Sequence, residues 1–249
     1  MFTNAQPTQP VLSAAGVSKH YGSTCALNNI HLRITPGESV AIMGPSGSGK
    51  TTLMHVLSGI LLPDSGHVNF SGPTEAVEIT MLSEELRAKL RRESFGFVFQ
   101  EGLLLPELSA QENVALPLML TCMPRAAAEE YARGQLNQLG LAGMHDRRLG
   151  ELSGGQAQRV AIARAQVSQP SVVFADEPTG ALDSVTSAAV LDALLGSTVQ
   201  RGGTLVMVTH DSATAARCDR IIRVQDGAIV SDSTQHVPNA RMSEAGGTR

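Results

Sequence analysis

The sequence predicts an α/β fold: a mostly parallel sheet built around a phosphate-binding loop, an antiparallel β region ahead of it, and an inserted α-helical subdomain. Three observations carry this. Residues 38–43, then Gly44-Pro45-Ser46-Gly47-Ser48-Gly49-Lys50-Thr51, then residues 52–58 read as strand, glycine loop and helix. That is the order in which G-x-x-x-x-G-K-[ST] forms a P-loop. Residues 171–176 and 205–209 are short apolar runs, as strands buried on both faces of a parallel sheet are. Between residues 101 and 169 the pattern turns helical, with a capping box at Ser109-Ala110-Gln111-Glu112.

The P-loop carries its own chemistry. Gly44, Gly47 and Gly49 free the backbone to aim N–H groups at phosphate oxygens. The helix that begins there adds partial positive charge. Lys50 is positioned to reach β and γ phosphates, and the Thr51 hydroxyl to bind Mg²⁺.

Bulk composition excludes several alternatives. The chain has 249 residues, 42% hydrophobic and 17% charged, with a net charge of -4 and no Trp. It has neither the basic surface nor the aromatic platforms of a nucleic-acid binder. The most apolar stretch, residues 53–62, is interrupted by His55, Ser58 and Gly59 and is too short to span a bilayer. The N-terminal residues lack the basic and apolar regions of a signal peptide. Cys25, Cys122 and Cys218 are widely spaced, which suggests free thiols in a reducing compartment. No His pair has zinc-ligand spacing.

Taken in order, residues 1–10 read as a loose tail and 11–17 as a first strand. Residues 19–23 read as a turn, which puts Tyr21 on a loop near the nucleotide site. By itself Tyr21 reads as a turn tyrosine packed on the sheet. Residues 26–34 alternate as a strand and Pro36-Gly37 turns into the P-loop strand. Residues 67–70 form a short strand, 73–82 have no clear pattern, and 82–92 form a charged helix with Leu82, Leu86 and Leu90 on one face. The strand at 95–99 ends at Gln100, where open α/β sheets bind ligands, although a lone Gln there is more often a satisfied loop amide. Helices follow at 125–139, closed by Gly140, and from Leu152-Ser153-Gly154-Gly155-Gln156 to about residue 167. The strand at 171–176 ends in Asp176-Glu177-Pro178, which fits a second Mg²⁺-binding motif. Residues 188–195 read as a helix, 205–209 as a strand ending at His210, and 220–230 as a hairpin around Asp226-Gly227. Residues 232–249 read as a disordered tail.

With Leu152-Ser153-Gly154-Gly155-Gln156 in place, the chain resembles the nucleotide-binding subunit of an ABC transporter over about residues 11–231. The motifs stand in the family order: Tyr21, the P-loop from Gly44 to Thr51, the Q-loop at Gln100, the signature at Leu152 to Gln156, the Asp176-Glu177 pair, the D-loop Ala181-Leu182-Asp183, and the switch histidine His210. Three further matches resemble the lipoprotein-release and macrolide-efflux (LolD/MacB-like) subfamily. They are the residues around Gln100, Glu112-Asn113-Val114-Ala115-Leu116-Pro117-Leu118, and the run from Ala175 to Ser184. Two positions depart from it: Glu101-Gly102 replaces a small polar residue and an aromatic, and Gln166 stands where Leu is usual.

The resemblance implies a RecA-like P-loop NTPase core (residues 11–100 and 170–231) with a helical signature subdomain (101–169). It implies ATP and Mg²⁺ as ligands. Two cassettes pair head to tail as a homodimer, and each ATP lies between the P-loop of one, including Pro45, Ser46, Ser48 and Thr52, and Ser153, Gly154, Gly155 and Gln156 of the other. Tyr21 stacks on adenine. Thr51 and Gln100 bind the metal directly and Asp176 through water. Glu177 polarises the attacking water, His210 contacts the γ-phosphate, and Asp183 links the two sites. The partner is a separate transmembrane permease subunit, met through residues 100–120 at the cytoplasmic face of the membrane. A regulatory ATPase that moves nothing across the membrane is the alternative. A soluble member acting on DNA or ribosomes fits less well, because such chains carry two cassettes or long coiled-coil insertions.

Overall fold

The computed structural model describes residues 9–73 and 75–234. Its elements in chain order are β1 (Leu12–Tyr21), β2 (Thr24–Ile34), β3 (Ser39–Met43), α1 (Lys50–Leu57), β4 (Ser65–Ser71), β5 (Ala76–Glu78), α2 (Glu84–Ser94), β6 (Phe95–Val98), α3 (Ala110–Leu120), α4 (Arg125–Gln138), α5 (Gly154–Gln166), β7 (Val172–Asp176), α6 (Ser184–Thr198), β8 (Thr204–Val208), α7 (Ser212–Ala215), β9 (Arg220–Gln225) and β10 (Ala228–Thr234). The predicted α/β class, with its antiparallel N-terminal region and helical insertion, is the observed one.

Two sheets organise the molecule. One has six strands in the order β10-β9-β3-β8-β7-β6, and the other four in the order β2-β1-β4-β5. In the first, β9, β3, β8, β7 and β6 run parallel and only β10 is antiparallel. The second is antiparallel throughout. The parallel strands alternate sides, as a period of two requires. Val40, Ile42, Phe174 and Val206 face α1 and the antiparallel sheet, where Leu53, Met54, Leu57, Leu12 and Ile34 pack on them. Ala41, Met43, Val173 and Met207 face Val114, Leu136, Val160, Ile162 and Leu194 of α3 to α6. The sheet is thus covered on both faces, which explains why β3 and β8 have no polar alternation. Phe95 joins the two sheets, edge-on to Phe70 at 5.0 Å and to Phe174 at 5.3 Å.

Four expectations change. Residues 19–21 continue β1 instead of turning: Lys19 pairs with Leu27, His20 with Cys25 and Tyr21 with Thr24. The hairpin needs only Gly22 and Ser23, Gly22 having a φ of 59°. In α2, Leu90 is buried but Leu86 is exposed, because the buried face is completed by Arg87 instead. Helix α6 begins at Ser184, capped by Asp183, and is longer than its apolar run. Residues 232–234 belong to β10, paired with β9, rather than to a tail. Residues 1–8 and 235–249 of the expected tails lie outside the described residues.

Candidate functional site

Four neighbouring strands, in the order β3-β8-β7-β6, run parallel. Their C-terminal ends therefore open on one edge of the sheet, where the P-loop, His210, Asp176-Glu177 and Gln100 follow in turn.

At the end of β3 the P-loop is tightly enclosed. A Cβ on Gly44 would overlap the Val224 carbonyl oxygen, and one on Gly49 the Ala26 carbonyl oxygen. These two positions admit no side chain, and their φ angles of 155° and 101° suit glycine. Pro45, Ser46 and Gly47 form an exposed crest, while Ser48 and Lys50 are buried. The Lys50 ammonium donates to the Pro45 carbonyl at 2.8 Å, a neutral partner. The Ser48 hydroxyl is buried with no hydrogen-bond partner among the described residues. A curled loop with a buried ammonium and an unpartnered hydroxyl is suited to receive phosphate oxygens.

Thr51 and Thr52 follow Lys50 in the first turn of α1. The Thr51 hydroxyl lies 3.2 and 3.4 Å from the two Asp176 carboxylate oxygens. Burial pushes the Asp176 carboxyl above its ordinary pKa, against the opposing pull of the Thr51 hydroxyl, His55 and Lys50. Half-buried His55 is pushed down by the same desolvation, with Asp176 drawing it back up. A cation beside Asp176 would relieve the cost of burying its charge.

Glu177 has a left-handed backbone, φ 46°, which costs a non-glycine residue about 1–3 kcal/mol. Its N–H extends the ladder to the Val208 carbonyl at 2.9 Å, and its own carbonyl accepts from Gly180 at 3.0 Å. The turn directs the side chain to His210, whose Nδ1 lies 2.8 Å from Glu177 Oε1. The His210 ring is largely exposed and the Glu177 carboxylate mostly covered.

Gln100 packs against Gly180, where a Cβ would stand 3.2 Å from its Nε2. Among the described residues no hydrogen bond joins it to Thr51 or Asp176, which bond each other. Tyr21 ends β1 with its ring exposed and Lys19 Nζ 6.0 Å from the ring centre. Its hairpin adjoins the P-loop through the close approach of Ala26 to Gly49. The signature residues Ser153 and Gln156 form a reciprocal cap on α5: Ser153 Oγ accepts from the Gln156 N–H at 3.3 Å, and Gln156 Oε1 accepts from the Ser153 N–H at 2.9 Å. Gly154 and Gly155 form the first turn, where helical N–H groups lack intrahelical partners.

Several residues escaped the sequence reading. Gln158 donates to the Phe99 carbonyl at 2.9 Å. Arg164 donates to the carbonyls of Leu103 at 2.8 Å and Gly102 at 2.7 Å. Through these two side chains α5 holds the segment that contains Gln100. Burial lowers the Arg164 pKa. No sequence spacing announces contacts to backbone carbonyls about 60 residues away. Asp183 and Thr186, by contrast, form a legible cap pattern. Both Asp183 oxygens are engaged by the start of α6. Among the described residues there is no cluster of three or more metal-ligating side chains and no helix able to cross a membrane.

This geometry can be set beside known proteins. Residues 27–180 match the family described as ABC transporter. The chain is 45% identical to the macrolide export ATP-binding/permease protein MacB of Sodalis glossinidius, over 94% of this chain and 36% of that protein. It is 43% identical to the bacitracin export ATP-binding protein BceA of Halalkalibacterium halodurans, over 88% of this chain and 87% of that protein. It thus spans about a third of the length of the ATP-binding/permease relatives. Among solved structures, the dimeric post-hydrolysis state of the ATP-binding cassette MJ0796, bound to ADP and Pi, superposes with a TM-score of 0.81. The identity is 36%, covering 91% of this chain and 99% of that one. The phosphate cradle, the Thr51–Asp176 pair and the Glu177–His210 pair stand in a chain that belongs to the ABC transporter family, as an ATP-hydrolysing cassette.

Proposed function

We propose that this cassette is the motor of an export system, closing as a homodimer around two ATP and driving a transmembrane permease at the cytoplasmic face of the membrane. The observation that carries the reading is the single sheet edge on which β3, β8, β7 and β6 present Lys50 and Thr51, His210, Asp176 and Glu177, and Gln100. Relatives named for export and the dimeric form of a similar cassette support it.

Lys50 leaves the Pro45 carbonyl for the β and γ phosphates, and the Ser48 hydroxyl gains a partner. Thr51, Asp176 and Gln100 offer the oxygen donors Mg²⁺ prefers. Mg²⁺ held by these side chains would offset charge on the phosphates and on the partly buried Asp176 carboxylate. Glu177 positions water for in-line attack and accepts its proton, help worth about 10²–10⁴ in rate. His210 uses Nδ1 on Glu177, which leaves Nε2 for the γ-phosphate. The N–H groups of Gly154 and Gly155 meet the phosphate bound by the other copy. Tyr21 stacks on adenine.

The permease seats in a groove of about 530 Å³ lined by Ile60, Phe97, Phe99, Leu116, Leu120 and Arg164. Exposed Leu103 and Leu105 lie in the segment that Arg164 holds. Because that segment also carries Gln100, a change at the γ-phosphate has a short route to the groove. The expected docking segment, residues 100–120, is divided by the fold: Leu104 and Leu118 are core, while Leu103, Leu105, Met119 and Leu120 are exposed.

The shared site is tested with Ser153→Arg. This protein is expected to bind ATP as a monomer with normal affinity and to lack hydrolysis. Wild-type turnover by the variant alone contradicts a site completed by a second copy.

A further inference from the structure

We propose that Thr186 is a positioning residue that joins the D-loop to the signature turn, so that both segments reach the other copy's nucleotide as one body. The inference rests on the shared-site reading above and adds a residue outside the motifs that define it.

Thr186 faces two ways from the first turn of α6. Its hydroxyl donates to Asp183 Oδ2 at 2.6 Å, while Asp183 Oδ1 accepts from the N–H groups of Val185 at 3.1 Å and Thr186 at 3.0 Å. The D-loop carboxylate is therefore bound to its own helix. The Thr186 methyl points at the signature: a Cβ on Gly155 would overlap Thr186 Cγ2. Leu182 reinforces the contact, its Cδ2 lying 3.2 Å from where a Cβ on Gly154 would stand. Both signature glycines thus pack against residues 182–186.

Gly155 does not have a positive φ. Its lack of a side chain is explained by the wedge of Thr186, not by backbone conformation. A shift of Asp183 moves Thr186 through the hydroxyl, and Thr186 moves the signature turn through its methyl. The two contacts use different atoms, so substitutions separate them. Thr186→Ser keeps the hydroxyl and removes the methyl. Thr186→Val keeps the wedge and removes the hydroxyl.

The test uses the purified chain of residues 1–249 and three readouts: monomer affinity for ATP, kcat and KM for hydrolysis, and thermal midpoint. Gly155→Ala is expected to lower kcat about 10²-fold, the scale of an ångström-sized misplacement, and to lower the midpoint. Adding Thr186→Ser is expected to restore both, because the overlapping methyl is gone. Thr186→Val is expected to stay folded, bind ATP normally and lose about tenfold in kcat. A double variant that regains its midpoint but not kcat makes the contact merely structural and overturns the proposal. So does a double variant that regains neither, or unchanged kcat in Thr186→Val. Ser153→Arg is run alongside. If it hydrolyses normally, the shared-site reading and this inference fall together. If it is inactive while the Thr186 outcomes fail, only this inference falls.

Discussion

His210 Nδ1 stands 2.8 Å from Glu177 Oε1, so a side chain two residues past the end of β8 restrains the carboxylate that follows β7. The strained backbone of Glu177 and its hydrogen bonds to Val208 and Gly180 hold the other end of the same side chain. Such fixation suits a group that must meet one water in one orientation. His210→Ala is therefore expected to lower kcat while leaving equilibrium ATP affinity within a few-fold, because Glu177 loses its restraint and the P-loop does not. Steady-state kinetics beside nucleotide titration measures the split. A loss confined to affinity would make His210 a binding residue only.

Lys50→Ala is expected to abolish tight ATP binding, since it removes the one buried ammonium facing the loop crest. Fluorescent-nucleotide titration reads this directly. Wild-type affinity in the variant would contradict the phosphate cradle.

Leu104 and its neighbours separate folding from docking. Leu104 is 7% exposed and Leu103 is 56% exposed. Leu104→Ala is expected to cost about 2–5 kcal/mol of stability by denaturant titration. Leu103→Asp with Leu105→Asp is expected to leave stability and ATP binding intact, yet to prevent co-purification with a co-expressed permease. A double variant that still assembles moves the docking surface elsewhere.

The fold class was legible because local signals agreed: a glycine loop between strand and helix, continuous apolar strands, and caps at Ser109 and Ser153. The residues at the sheet edge were legible because each follows an apolar strand. Contacts that depend on packing were hidden. Nothing in the periodicity of residues 82–92 shows Arg87 inside and Leu86 outside, because a long side chain can bury its stem, here beside Gly59. The row of leucines at 103–105 reads as one apolar patch, yet its middle residue alone turns inward. The Arg164 clamp joins an α5 side chain to carbonyls, which have no sequence identity to read.

The thiols should divide by burial. Cys25 and Cys122 are exposed, while Cys218 is buried with its pKa pushed up to about 12, chiefly by desolvation. A thiol-reactive chromophore is expected to label two cysteines in the native protein and the third only in denaturant. Rapid native labelling of all three would mean that the segment between α7 and β9 opens readily.

The most direct measurement is the mass of the Glu177→Gln protein in solution with MgATP, by light scattering after size exclusion. In the proposed mechanism this variant loses the carboxylate that activates water and keeps the γ-phosphate that bridges two copies, so a particle of twice the monomer mass is predicted. Glu177→Gln with Ser153→Arg is predicted to remain monomeric while still binding ATP. A monomer in the first case, or an equally stable dimer in the second, would contradict an ATP site closed by the signature of a second copy.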